Sequence, residues 1–239
     1  MGAQFVPLFC TIRKRTKMEQ LLEVKNLSVS IDGLAGEVQA VRDVSFSLKK
    51  GEVLAIVGES GCGKSMLCKS VMKLLPPSAR ITNGSISVCG QDITGYREKE
   101  MQNLRGKTFS MIFQDPMTTL NPTIKIGKQI AEAVIIHNKK SSKEEVYQKV
   151  LELMELVGIT HPKERYHQYP WQFSGGMRQR CVMAIALAAD PDILFADEPT
   201  TALDVTIQAQ VLDMMDDLKK KVVYRLGLCA EEAGDLEKA

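Results

Sequence analysis

The chain has 239 residues, 44% apolar and 25% charged, enough for one sizeable core or a core with a small subdomain, which excludes a disordered or fibrous protein. With 31 basic and 29 acidic residues the formal charge is +2, so no strong field selects nucleic acid or an anionic membrane as partner. Cysteines at 10, 62, 68, 89, 181 and 229 form no CxxC pair and no metal-ligand spacing, which reads as free thiols, and no apolar run is long enough to span a bilayer.

At the start, Phe5, Val6, Leu8 and Phe9 precede Arg13, Lys14, Arg15 and Lys17. That is the wrong order for a secretory signal, and Val6 stands where myristoylation wants Ser or Thr. Residues 1–20 therefore read as a disordered N-terminal extension, of which 1–17 is a tail or a start placed ahead of Met18, and deleting 1–17 would leave ligand affinity unchanged. From 21 to 50 two β-branched runs flank Asp32, Gly33 and Gly36, as two strands joined by a turn would. VLAIV at 53–57 is a fully apolar run ending at Gly58, the pattern of a buried parallel strand feeding a turn, and a helix follows over about 64–75 until Pro76 and Pro77. Short strands are predicted at 85–90 and 108–113. Helices are predicted over 126–137 and 143–157, the second opened by a Ser142/Glu145 capping box and closed by Gly158. A helical insertion is placed at about 115–172, then a helix over 175–189, the strand DILFA at 192–196 and a helix over about 206–220.

Three motifs carry chemistry. Gly58, Glu59, Ser60, Gly61, Cys62, Gly63, Lys64 and Ser65 satisfy the P-loop pattern between a buried strand and a helix. Glycines let backbone N–H groups turn in on phosphate, Lys64 reaches the β and γ oxygens, and Ser65 can ligate Mg²⁺. Asp197 and Glu198 end the run ILFA, two carboxylates at the carboxyl edge of a buried strand. Asp197 can hold a metal shell, and Glu198 can orient and deprotonate a water. Ser174, Gly175 and Gly176 open a helix whose free N–H groups make an anion site.

Together, in this order, the motifs resemble the ATP-binding cassette family, over about 21–221. The resemblance implies an α/β P-loop NTPase with a mixed or parallel core sheet, an N-terminal antiparallel β subdomain and an inserted helical subdomain. It implies ATP and Mg²⁺ as ligands, a head-to-tail dimer with a second ATPase subunit, the same or different, and permease subunits that the helical subdomain docks on. A solute-binding protein outside the cell would act indirectly, and the chain would sit at the cytoplasmic face of the membrane, with no nucleic-acid partner. Gln114 resembles the loop glutamine that contacts Mg²⁺ or water, and Asp204 resembles the loop that crosses to the partner. Ser174, Gly175 and Gly176 would bind the partner's γ-phosphate.

The wording of GESGCGKS, MIFQDPMTTLNP, FSGGMRQR and ADEPTTALDVTIQAQ is most similar to ATPase subunits of oligopeptide, dipeptide and nickel importers. Peptide uptake is the first reading and nickel uptake the second. A cassette acting on ribosomes or DNA would carry two cassettes or coiled-coil inserts, which are lacking here. Two departures stand out. Ile31 occupies the place of the adenine-stacking aromatic, and His137, His161 and His167 all precede Asp197, so none can be the switch histidine that follows it in the family. The tail 222–239 is atypical, and the chain reads as truncated or frame-shifted, holding ATP but hydrolysing it poorly. Cys62 reads as a small residue filling a tight loop rather than as a reactive thiol. His161, His167 and Trp171 read as surface residues of the helical subdomain.

Overall fold

The computed structural model describes residues 4–10, 20–33, 36–59, 61–113 and 116–197, with 4–10, 116 and 117 in backbone alone. Ser60, Gln114, Glu198, Asp204, the expected helix at 206–220 and the tail 222–239 lie outside the described residues. In chain order the elements are β1 (Gln4–Cys10), β2 (Gln20–Gly33), β3 (Gly36–Lys49), β4 (Val53–Gly58), α1 (Lys64–Val71), β5 (Ala79–Val88) and β6 (Gln91–Asp92). Then come α2 (Glu98–Leu104), β7 (Phe109–Ile112), α3 (Pro116–Thr119), α4 (Ile126–His137), α5 (Lys143–Leu156), α6 (Pro162–Arg165), a 3₁₀ turn at Pro170–Gln172, α7 (Gly175–Leu187) and β8 (Ile193–Ala196).

An antiparallel sheet of order β3-β2-β5-β6 is built from the β-branched runs at the start of the chain. The β2–β3 register slips between Val24 and Leu27, where Asn26 has φ +50°. Asn26 restores the lost pairing by donating through its backbone to Ser45 Oγ and through its amide to Asp43 Oδ1, both at 2.8 Å. One buried face of this sheet, with Leu22, Leu27, Leu48 and Ile86, packs on α1 and α2.

The second sheet has the order β4-β1-β8-β7. β1 is antiparallel to both neighbours and β7 is parallel to β8, so β4, β8 and β7 run the same way and end on one edge. Successive side chains of β7 and β8 point to opposite faces. Phe109, Met111, Ile193 and Phe195 enter the core under the antiparallel sheet, and Ile112, Leu194 and Ala196 enter a second core formed with α4, α5 and α7. Burial on both sides explains why ILFA carries no polar alternation. The strand at Gln4–Cys10 departs from the extension expected over 1–20: its backbone pairs along β4 from Gln4↔Gly58 to Phe9↔Val53 and along β8 from Leu8↔Phe195 to Cys10↔Ile193. The sheet thus takes in a segment that reads from sequence alone as an extension.

Other boundaries moved for local reasons. α1 stops at Val71, short of the prolines, because Lys73 adopts φ +51° and Arg105 captures the carbonyls of Met72 and Lys73. The strand expected at 85–90 begins at Ala79 and gives way at Cys89 and Gly90, both with positive φ. α5 starts with the Ser142/Glu145 capping box and ends with Gly158 at φ +73°. Gly158 N–H donates to Glu155 O and Ile159 N–H to Met154 O, the two bonds that satisfy a helix's last carbonyls around a left-handed residue.

Candidate nucleotide-binding site

β4 ends at Gly58 and α1 begins at Lys64, so the intervening loop sits at the carboxyl edge of the sheet. Gly63 has φ +98°, and a Cβ there would lie 2.2 Å from Ala40 O, so only glycine lets the loop pass over β3 at this point. Lys64, 6% exposed, folds back on its own loop and donates to Gly58 O at 2.8 Å, Glu59 O at 2.7 Å and Cys62 Sγ at 3.6 Å. All three ammonium protons are thereby used within the loop. The cation is held over the same concavity into which the first N–H groups of α1 open, and a bound phosphate oxygen would take over one of those protons.

The side chain after it closes the site. Ser65 Oγ donates to Asp197 Oδ1 at 2.7 Å, and Asp197, 3% exposed, is anchored by its N–H to Ile112 O at the end of β7. Burial, and then the negative charge of Asp197, push the Cys68 thiol up to about 12, so Cys68 is an uncharged residue on the buried face of α1. Two hard oxygen donors, one a carboxylate, therefore meet beside the lysine.

A cavity of about 800 Å³ opens from this loop toward the β2–β3 hairpin. Gly61 to Leu67 form one side, and Ile31, Val38 and Arg42 are on the other. Ile31 and Val38 are cross-strand partners, and Val38 is 59% exposed. Ile31 thus lines a cavity next to the loop, and with Val38 it makes an aliphatic wall without a π face. Sequence reasoning missed Val38 and Arg42, because the alternation of β3 alone does not say which ligand its exposed face meets.

Ser174 caps α7, accepting from Met177 N–H at 3.3 Å, and leaves the N–H groups of Gly175 and Gly176 without helical acceptors. Among the described residues a Cβ on Gly175 would meet nothing within 4 Å. α7 packs on α3, α4, α5 and β7, whereas α1 packs on β2, β3 and β4. The structure brings Gly58, Glu59, Gly61, Cys62, Gly63, Lys64, Ser65 and Asp197 together and leaves exposed Ser174 and Gly175, with buried Gly176, at the start of α7, which has other packing partners. Just before that helix start Tyr169 and Trp171 stack at 6.2 Å and 10°, with Trp171 69% exposed. Ser60, Gln114, Glu198 and Asp204 lie outside the described residues.

The family profile described as "ABC transporter" matches residues 41–201. The oligopeptide transport ATP-binding protein OppD of Bacillus subtilis is 58% identical over 207 residues, covering 86% of this chain and 58% of that protein. The dipeptide transport ATP-binding protein DppD of the same organism is 54% identical over 224 residues, covering 90% and 67%. The DppD of Lactococcus lactis is 55% identical over 204 residues, covering 85% and 58%. The chain thus spans about three-fifths of the length of these relatives. Among solved structures, a dimeric ATP-binding cassette in a post-hydrolysis state bound to ADP and Pi superposes with a TM-score of 0.72 at 23% identity, over 84% of both chains. At that identity the likeness shows the fold: an ATP-binding cassette of the P-loop NTPase class, as the motifs imply. Among the described residues no helix is long and apolar enough to cross a membrane.

Proposed function

The chain belongs to the ABC transporter family, and on that premise we propose that it binds and hydrolyses ATP as the peripheral ATPase subunit of an importer for oligopeptides or dipeptides. The observation that carries the nucleotide reading is the Ser65–Asp197 hydrogen bond beside the buried Lys64 ammonium, at the edge where β4 and β8 both end. The names of the peptide-transport relatives support the solute class. Nickel uptake is the second reading.

Mg²⁺ fits the donor set. It favours one or two carboxylates completed by water and substrate phosphates rather than an all-protein cage. Ser65 and Asp197 offer a hydroxyl and a carboxylate, and among the described residues no group of three His, Cys, Asp or Glu could hold a metal. Ser65, Asp197 and Gln114 are the residues assigned to the ion. When bound, it would neutralise charge on the phosphate oxygens.

The chain's own residues then divide the work. Backbone N–H groups of 61–65 and Lys64 cradle the phosphates, while Ile31, Val38 and Arg42 border the space left for the base. Glu198 is assigned as the general base that orients an attacking water. Ser174, Gly175 and Gly176 are assigned to the γ-phosphate held by a second cassette, and Asp204 is assigned, by the family resemblance, a role toward that partner. The exposed Ser174 and Gly175 at the start of α7, whose packing partners differ from those of α1, support a dimeric site. The helical subdomain about 115–172 would face permease subunits at the cytoplasmic side of the membrane, a solute-binding protein acting upstream.

Single-turnover hydrolysis of Mg-ATP by the purified chain, with Glu198→Gln as control, tests the enzyme reading. Turnover that falls roughly a hundredfold or more in the variant is expected. Uptake of a labelled oligopeptide by cells lacking their own peptide-import ATPase tests the solute class, and uptake of nickel without peptide would reassign it.

A further inference from the structure

β4 carries the phosphate loop and β8 carries Asp197, yet among the described residues these two strands do not pair with each other. Each pairs with β1 instead. With neighbouring strands about 4.8 Å apart, one intervening strand sets β4 and β8 roughly 10 Å apart. The Ser65–Asp197 hydrogen bond must form across that interval. Its geometry therefore depends on what fills the slot.

Pro7 shapes the filling. It pairs opposite Ala55 of β4, but the pairing of β1 with β8 stops at Leu8↔Phe195, one residue short of the position where Pro7 would face Ala196. Proline brings no N–H to a ladder, so it belongs where one side of a strand is unpaired. β8 is consequently released from β1 just before Asp197. The sheet is closed below the site and open at its carboxyl edge, where the serine and the aspartate meet.

We propose that Gln4–Cys10 is a positioning strand of the nucleotide site: it fixes the spacing of β4 and β8 and so holds Asp197 in reach of Ser65. The proposal deepens the nucleotide reading, on which its metal-dependent consequence rests. It also reverses the expectation that removing residues 1–17 leaves ligand affinity unchanged.

Hydrogen exchange on the intact chain tests the placement first, without any variant. The amides of Leu8 and Phe9, paired with β4 on one side and β8 on the other, should exchange as slowly as those of 53–58 and 193–196, since a stretch paired on both sides opens only with its neighbours. Exchange of 4–10 at free-peptide rates would overturn the proposal whether or not the chain binds nucleotide. Leu8→Pro is the second arm, because Leu8 faces both Leu54 and Phe195 and a proline there removes a ladder bond whichever neighbour accepts it. The amides of 193–196 should then exchange at least about tenfold faster. Affinity for ATP with Mg²⁺ should fall by about tenfold, and affinity measured in EDTA by much less, because the metal ligands are what moves. Unchanged exchange in 193–196, or an equal loss with and without Mg²⁺, would contradict the positioning role. If the intact chain binds no ATP at all while 4–10 stays protected, the nucleotide reading falls and the strand placement stands.

Discussion

Ser65 Oγ donates a 2.7 Å hydrogen bond to Asp197 Oδ1 across 132 residues of sequence, tying the first turn of α1 to the end of β8. Asp197 is 3% exposed, and a carboxylate withdrawn from water needs donors or a cation. The bond is thus a structural tie, and under the proposed function the same two oxygens would also serve as half of a metal shell.

Removing the donor separates these roles. Ser65→Ala leaves Asp197 Oδ1 without that partner, and loss of a buried bond to a charged acceptor costs about 1–3 kcal/mol. The variant should show that loss in urea unfolding without nucleotide, together with weaker Mg-ATP binding. Unchanged stability would mean that Asp197 is satisfied elsewhere.

Two glycines of the phosphate loop should differ in their tolerance of alanine. Both have positive φ, +79° at Gly61 and +98° at Gly63, which strains any side chain. Only Gly63 also lacks room, its Cβ falling 2.2 Å from Ala40 O, whereas at Gly61 nothing lies within 4 Å. Gly61→Ala should cost on the order of 1–2 kcal/mol and Gly63→Ala clearly more, read as the difference in unfolding free energy. Equal losses would show that the loop can lift away from β3.

The aliphatic wall of Ile31 and Val38 makes its own prediction. Ile31→Tyr supplies a ring face beside the cavity, and an aromatic contact is worth about 0.5–1.5 kcal/mol beyond area burial. ATP affinity should rise roughly two- to tenfold by equilibrium titration. A fall would place the base away from β2.

The buried thiols link stability to alkaline pH. Burial pushes Cys68 and Cys181 up to about 12. The unfolded chain releases these protons near pH 8.5 while the folded chain keeps them. The native state therefore binds more protons above that point, so this stabilisation is complete below about pH 8.5 and lost progressively toward pH 12. Cys68→Ala should flatten the alkaline decline by up to about 1.4 kcal/mol per pH unit, whatever its cost at neutral pH. In alkylation at neutral pH the exposed Cys62 should react before both buried thiols, and Mg-ATP should slow it.

The phosphate loop and β8 were legible because their chemistry is local: glycines at fixed spacing and an apolar run buried on two faces. The caps at Ser142 and Ser174 were legible for the same reason, each being a contact over three residues. β1 was not, since a strand with one proline and no polar alternation gains its identity only from the gap between β4 and β8. Nor was the end of α1, which depends on Arg105 reaching back from beyond α2. The cavity wall at Val38 and Arg42 was hidden because exposure on a strand face acquires meaning only from the loop opposite it.

The most direct test of the nucleotide site is equilibrium binding of ATP with Mg²⁺ and in EDTA to the intact chain and to Asp197→Asn. Asparagine keeps a carbonyl oxygen able to accept from Ser65 but removes the charge. The site described here predicts that Mg²⁺ strengthens ATP binding to the intact chain and that this strengthening largely disappears in the variant, while binding in EDTA persists. An undiminished Mg²⁺ effect in Asp197→Asn, or no binding of ATP to the intact chain, would contradict it.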